Sequence, residues 1–269
     1  MLNSLLWRLS RKKTGLSSWL RGTASTFLEY YNDFGYDFST NGESRVLAAM
    51  AQHSIKTVFD VGANIGDWSR LAASSFAGAT VHAFELSSNT RTKLKQNLPG
   101  PNFVICDAAL GAAQGELEYK DYGDQHSTVN TIVDTTFHDK NIPFTRRTAR
   151  IVTGDSYMER NGISTVDYLK IDVEGAEYHV LEGFKEALSY HRIRVIQFEY
   201  GYANGDAKHL MKDFYELLSR FDYQLGKIWT AGVRFSPFQY QMNNFDSGPN
   251  YLAVAKRELA IIEAVRSPV

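Results

Sequence analysis

Residues 166–184 read VDYLKIDVEGAEYHVLEGF, an apolar run that breaks off into three carboxylates, Asp172, Glu174 and Glu177. The run is short, bounded by a glycine turn and followed by a helical period, so it predicts a buried strand, a tight turn at Gly175 and a helix. Alternation along the strand sets Lys170 and Asp172 on one face and Leu169 and Ile171 on the other. The strand stops at Asp172, Glu174 falls in the turn, and Glu177 falls in the first helical turn, where the helix macrodipole by itself favours an acid. Ligands of open α/β sheets bind outside the carboxyl ends of the strands, and that is where these acids gather.

The same unit recurs on both sides of this stretch. TVFDVGANIGDWS (57–69) predicts a strand, a glycine turn and a helix through Trp68, Leu71 and Ala72. TVHAFEL (80–86) and NFVICDAAL (102–110) predict the second and third strands, with the polar helix NTRTKLKQNL between them, and RVIQFEYG (194–201) the fifth. Strands alternating with helices predict right-handed βαβ crossovers, a parallel sheet and helices on both faces. FDYQLGKIW and NYLAVAKR read as a closing pair of strands. GELEYKDYGDQHSTVNTIV (115–133) interrupts the pattern and predicts a β-hairpin or ribbon with a polar loop, an insertion near residues 115–150. The chain thus divides into an N-terminal helical extension (1–54), one α/β domain (55–256) and a C-terminal tail (257–269).

Composition narrows the function classes. A formal net charge of -1 and a pI of about 6.7 argue against a nucleic-acid partner. The single cysteine, Cys106, excludes an internal disulfide framework and a cysteine-based zinc cluster, and its neighbours Phe103, Val104 and Ile105 predict a buried thiol. No apolar run reaches the roughly 20 residues that span a bilayer, and the start lacks a convincing cleavage site, so the expected location is the cytoplasm. Leu2, Leu5, Leu6, Leu9, Leu16, Trp19 and Leu20 nevertheless fall at helical spacing, Arg8, Arg11, Lys12, Lys13 and Arg21 fall between them, and no acid precedes Glu29. Two readings stand open: peripheral contact of residues 1–21 with the inner membrane surface, or a helix packed on the body or at a homo-oligomer contact.

In VFDVGANIG, Gly62 permits positive φ or close approach of a ligand, and Gly66 lets the next helix pack on the sheet. Glu85 ends the second strand about 20 residues later, where an acid accepts hydrogen bonds from ribose hydroxyls, and Asp107 ends the third, suited to an adenine edge. A dinucleotide fingerprint needs glycine where Asn64 stands, and Asp60 would set a negative charge beside a pyrophosphate. A cofactor without phosphate and with a cationic, amine-bearing end fits better, and S-adenosylmethionine answers that description.

Together VFDVGANIGDWS, HAFELS, DAALG, VDYLKIDVEGAE with VLEG, and IQFEYG resemble the FkbM-type methyltransferases, over about residues 40–256. The resemblance implies a Rossmann-like class I methyltransferase with a seven-stranded, mostly parallel sheet whose last strand, NYLAVAKR, is antiparallel. It implies S-adenosylmethionine-dependent O-methylation of a sugar, glycan or natural product, with cofactor contacts on Asp60, Gly62, Asn64, Glu85 and Asp107. The backbone from Gly62 to Gly66 lies against the cofactor on this reading.

Methyl transfer to a hydroxyl needs the two reacting atoms about 3 Å apart and a base or Lewis acid for the hydroxyl. Asp172, Glu174 and Glu199, the last at the end of the fifth strand, are the candidate catalytic carboxylates. Either Asp172 or Glu174 is a general base with Glu199 binding acceptor hydroxyls, or Asp172 and Glu199 hold a divalent metal. Pairing of these acids with Lys170 or Lys185 is the bland alternative. His126, in the polar insertion, leads the histidines as an acceptor-side candidate, ahead of His179 on the helix. Tyr200, Tyr202 and Trp229 offer an aromatic platform. An N-methyltransferase lacks its N-P-P-Y-like turn here. A nicotinamide oxidoreductase or a non-catalytic cofactor-binding module are the other classes to separate.

Overall fold

A computed structural model of the chain describes residues 2–123, 130–133 and 142–268. Helices α1 (Leu2–Lys12), α2 (Gly15–Tyr31) and α3 (Glu43–Met50) precede the sheet. Strands β1 (Thr57–Val61), β2 (Thr80–Phe84) and β3 (Phe103–Cys106) are linked by α4 (Asp67–Ser75) and α5 (Ser88–Asn97). The insertion supplies β4 (Ala109–Leu110), β5 (Gly115–Asp121) and β6 (Thr145–Val152), and α6 (Gly154–Arg160) leads back to the sheet. Then come β7 (Val166–Ile171), α7 (Glu177–Glu182), α8 (Lys185–Ser189), β8 (Ile193–Glu199), α9 (Tyr202–Asp206) and α10 (Met211–Ser219). The chain closes with β9 (Tyr223–Trp229), β10 (Gly232–Phe235), β11 (Asn250–Ala255) and α11 (Leu259–Val265).

The main sheet has the order β10-β9-β11-β8-β7-β1-β2-β3, parallel from β8 to β3, with β11 inserted antiparallel between β8 and β9. The order reverses direction at β1 and β7, which places a ligand crevice over their carboxyl ends. The expected antiparallel last strand is β11. The sheet is one strand wider than the seven expected, because β10 folds back on β9 as a short hairpin.

Alternation sorts side chains to two cores. Phe59, Val61, Leu169, Ile171, Ile196 and Phe198 pack against α7, α8 and α10, whereas Val58, Val81, Tyr168, Val195 and Leu252 pack against α3, α4 and α11. At roughly 25 cal/mol per Å² of apolar surface removed from water, these two layers dominate the stabilisation of the fold. Both chain ends join the second core: Val46, Leu47 and Met50 of α3 and Ile261, Ile262 and Val265 of α11 are buried there. The segments expected as extension and tail therefore contribute two of the helices that cover this face. The ribbon forms its own three-stranded sheet, β4-β6-β5, with β5 and β6 antiparallel over their full length.

Candidate active site

Register decides what lies under the crevice. Asp60 of β1 stands directly beside Lys170 of β7, which stands beside Gln197 of β8. All three are buried and face α3 and α4. Lys170 Nζ lies 3.0 Å from Asp172 Oδ2 and 3.6 Å from Asp60 Oδ1. Ser69 Oγ donates to Asp60 Oδ2 at 2.6 Å, and Asp60 Oδ1 accepts no hydrogen bond among the described residues. Burial works against the Lys170 charge, but Asp172, Asp60 and Glu43 outweigh it and raise its proton affinity, so the lysine stays a cation.

Glu43 is the residue that sequence reasoning missed. It is 3% exposed, accepts from Trp68 Nε1 at 3.0 Å, Gln197 Nε2 at 2.6 Å and Asn41 Nδ2 at 2.7 Å, and lines the cavity with Lys170. A signal for it existed: in ESRVLAAM the acid stands at i, with Val46, Leu47 and Met50 at i+3, i+4 and i+7, on the apolar face of its own helix.

Above this layer the strand ends open into a cavity of about 640 Å³, lined by Asp172, Glu174, Glu177 and Glu199 among others. Burial opposes the Asp172 charge, yet Lys170 and a hydrogen bond with Glu199 hold its carboxyl below the usual range. Glu199 is pushed well above that range by burial and then by Asp172, and Glu174 by burial, Asp172 and Glu177. One carboxylate favoured in its charged form by a lysine thus sits among acids whose proton affinity burial raises. Asp172 and Glu199, the pair expected to ligate a metal if one takes part, both line this cavity. Among the described residues no group of three or more His, Cys, Asp or Glu has a metal-holding arrangement. Lys170 does pair with Asp172, while Lys185 pairs with Glu182 at 3.2 Å.

Glu177 has a different task from its neighbours. It is 1% exposed, accepts from the main-chain N–H groups of Val173 (2.9 Å) and Gly175, and from Asn204 Nδ2 at 2.5 Å. Asn204 in turn accepts from Gly201 N at 2.7 Å, so the turns after β7 and β8 are tied together. A side chain at Gly175 would meet the Ala203 carbonyl at 2.8 Å, which is why the turn needs glycine there.

The β1 turn forms the other half. Gly62 has φ +86° and its missing Cβ would stand against the Asp172 carbonyl, so this glycine makes room for the chain leaving β7, and it also lines the cavity. Asn64, also at positive φ, donates its main-chain N–H to Glu85 Oε2 at 2.9 Å, and Ser87 N donates to Oε1 at 2.8 Å. Burial raises Glu85 to about 7 against those two donors. Ala63, Asn64 and Glu85 line the cavity beside Phe84, Leu86, Leu110 and Ile151. A carboxylate facing a main-chain cradle, next to an apolar slot and the Asp172 carboxylate, fits the ribose, adenine and cationic end of S-adenosylmethionine. Bound there, that cofactor supplies an electrophilic methyl group.

Several expected residues lie elsewhere. Asp60 is beneath the floor and communicates with the cavity through Lys170. Gly66, at φ +93°, is closed in by Leu94 of α5 and by Leu98 just past its end, while α4 itself packs on the sheet. Asp107 turns outward, its side chain 82% exposed and paired with Arg91 at 2.9 Å, because the chain leaves the sheet after Cys106. Cys106 is buried against the Tyr157 hydroxyl at 3.0 Å and pushed up to about 12 by burial. His179 pairs with Glu182 on the surface of α7. Trp229 packs under Lys227 and Arg234, whereas Tyr200 and Tyr202 line the cavity with Phe34, Tyr36 and Phe245. His126 lies outside the described residues. The insertion does reach the site nearby: Asn130 and Ile132 line the cavity, and Thr131 Oγ1 donates to the Glu174 carbonyl at 2.7 Å.

A family profile described as the methyltransferase FkbM domain matches residues 60–225. Among curated proteins none matches the chain. A solved FkbM methyltransferase from Methylobacillus flagellatus is 15% identical with a TM-score of 0.47, over 77% of this chain and 47% of that one. The chain therefore spans about half the length of that relative. A TehB-like S-adenosylmethionine-dependent methyltransferase from Corynebacterium glutamicum is 15% identical (TM-score 0.40; 89% of this chain, 94% of that one). A precorrin-6y C5,15-methyltransferase from Geobacter metallireducens is 14% identical (TM-score 0.39; 77% and 83%).

Proposed function

We propose that this chain, which belongs to the FkbM methyltransferase family and is an S-adenosylmethionine-dependent methyltransferase, acts on a hydroxyl of a sugar, glycan or natural product. The observation that carries the reading is the Lys170 ammonium 3.0 Å from Asp172 at the cavity floor, which favours the charged form of this carboxylate while burial pushes Glu174 and Glu199 up beside it. On this reading Asp172 accepts the hydrogen bond of the acceptor hydroxyl and takes its proton as the oxygen gains the methyl group. Glu174 and Glu199 bind neighbouring hydroxyls, and Tyr36, Tyr200 and Tyr202 give a ring a face to lie on. Glu85 accepts from the cofactor ribose, and the main chain of Gly62 to Asn64 lies along its amino-acid end. The catalytic body begins at α3, and the place of work is the cytoplasmic side. Among the described residues no helix is long and apolar enough to cross a membrane.

Two measurements test this. Calorimetry should give tight binding of S-adenosylhomocysteine and none of NADH; the reverse result would sink the assignment. Incubation with methyl-labelled cofactor and a panel of sugar nucleotides, glycans and macrolides should yield a labelled methyl ether. Label found only on nitrogen or carbon would reject the hydroxyl acceptor.

A further inference from the structure

The first two helices carry an apolar face that the body leaves uncovered. No side chain of α2 is buried, and Leu16, Trp19, Phe27 and Tyr30, which fall on one side of it, are 54%, 63%, 63% and 79% exposed. In α1, Leu5 and Leu6 fall on one side and are about half exposed. Apolar area of this extent has to meet something other than water. The charges say what: Arg8, Arg11, Lys12, Lys13 and Arg21 are all cations, no acid precedes Glu29, and the whole chain has a net charge of -1. The positive charge is thus segregated on the two helices, ahead of an acidic body.

We propose that α1 and α2 form a docking surface for an anionic lipid bilayer. Leucines and aromatics enter the boundary between headgroups and acyl chains, and the basic residues lie among the phosphates. Trp and Tyr suit that boundary, having an apolar body and a polar tip. A second copy of the chain would bring the same cations face to face, which disfavours it as the occupant. The arm is also attached where it matters. Tyr31 meets Trp229 edge-on at 6.5 Å, Asn32 Nδ2 donates to the Asp246 carbonyl at 3.1 Å, and Thr230 N donates to Asp33 Oδ2 at 2.8 Å. From there the chain runs directly into Phe34, Tyr36 and Phe38 of the cavity wall. Docking therefore sets the acceptor mouth close to the lipid surface. This inference stands on the surface alone and holds whichever acceptor the cavity takes.

The test is flotation of the full chain with vesicles of phosphatidylcholine alone and of phosphatidylcholine mixed with phosphatidylglycerol, read without turnover. Expected are binding to the mixed vesicles, little to the neutral ones, and release at high salt. Each basic residue contributes about fivefold, so Arg8→Gln, Arg11→Gln, Lys12→Gln and Lys13→Gln together should weaken binding more than about a hundredfold. That variant should still bind S-adenosylhomocysteine, which shows that it folds. Equal binding to neutral vesicles, unchanged binding by the variant, or no flotation at all would overturn the proposal. So would light scattering that finds a dimer lost on removal of α1 and α2, with no lipid binding by the full chain.

Discussion

Glu85, just after β2, and Glu177, at the start of α7, are both buried beside the same cavity, and each accepts from two main-chain N–H groups. Asp172 at the end of β7, Glu174 in the turn after it and Glu199 at the end of β8 line the same cavity, where burial raises Glu174 and Glu199, their acidic neighbours add to that, and Lys170 holds Asp172 low. The first pair holds the backbone of the turns, with Glu85 keeping lone pairs for a ligand of the cavity it lines; the second group is left free of that duty and so can meet a substrate. A carboxylate at the end of a strand is therefore not a role in itself. What its oxygens already hold decides the role.

The most direct way to break this contrast is Asp172→Asn. Transfer should fall about 10²- to 10⁴-fold, the range for removing a positioned base, while calorimetry shows S-adenosylhomocysteine bound within about threefold of wild type. Full turnover by the variant would leave the contrast without chemical meaning. Lys170→Met should cost stability, about 3–5 kcal/mol in urea unfolding, because Asp60 then sits buried without its cation. Adding Asp60→Asn to that variant should restore part of the loss; no recovery would mean that Lys170 works mainly through Asp172. Glu85→Ala should weaken S-adenosylhomocysteine binding about 10- to 100-fold, the worth of hydrogen bonds to a charged group, with a smaller effect on turnover at saturating cofactor.

The smallest expected effect concerns pH. Glu85 and Glu177 are raised by burial from 4.5 to about 7 in the folded chain. The folded state then binds protons more tightly than the unfolded state, so their contribution to stability is complete below about 4.5 and is lost as pH rises through about 7. The melting temperature of the ligand-free protein should fall by a few degrees between pH 5 and pH 8, and Glu177→Gln should flatten that slope. A melting temperature that climbs over this window would contradict the assignment of these two acids as buried tethers.

Much of this was legible in the sequence because period and spacing are local. The run VDYLKI predicts a strand with Lys170 and Asp172 on one face, and the structure has both there, one cation between two acids. The antiparallel β11 was legible as well. Glu43 was not, since its partners Trp68, Gln197 and Asn250 lie 25 to 207 residues away in the chain and only the closed sheet brings them together. Asp107 looked like its counterpart Glu85 because both end a strand. Glu85, however, precedes a turn that folds back over the sheet, while Asp107 precedes a ribbon that departs from it. The short β10 has too few residues to show a period of two, and only its pairing with β9 defines it.

The ribbon is seated on the site by the Thr131 hydroxyl, and the seat is the main-chain carbonyl of Glu174. A carbonyl is present whichever amino acid occupies the position. A side-chain substitution at residue 174 therefore leaves the acceptor of this hydrogen bond in place, and the wall stays anchored as long as the new residue keeps the backbone at φ +55°.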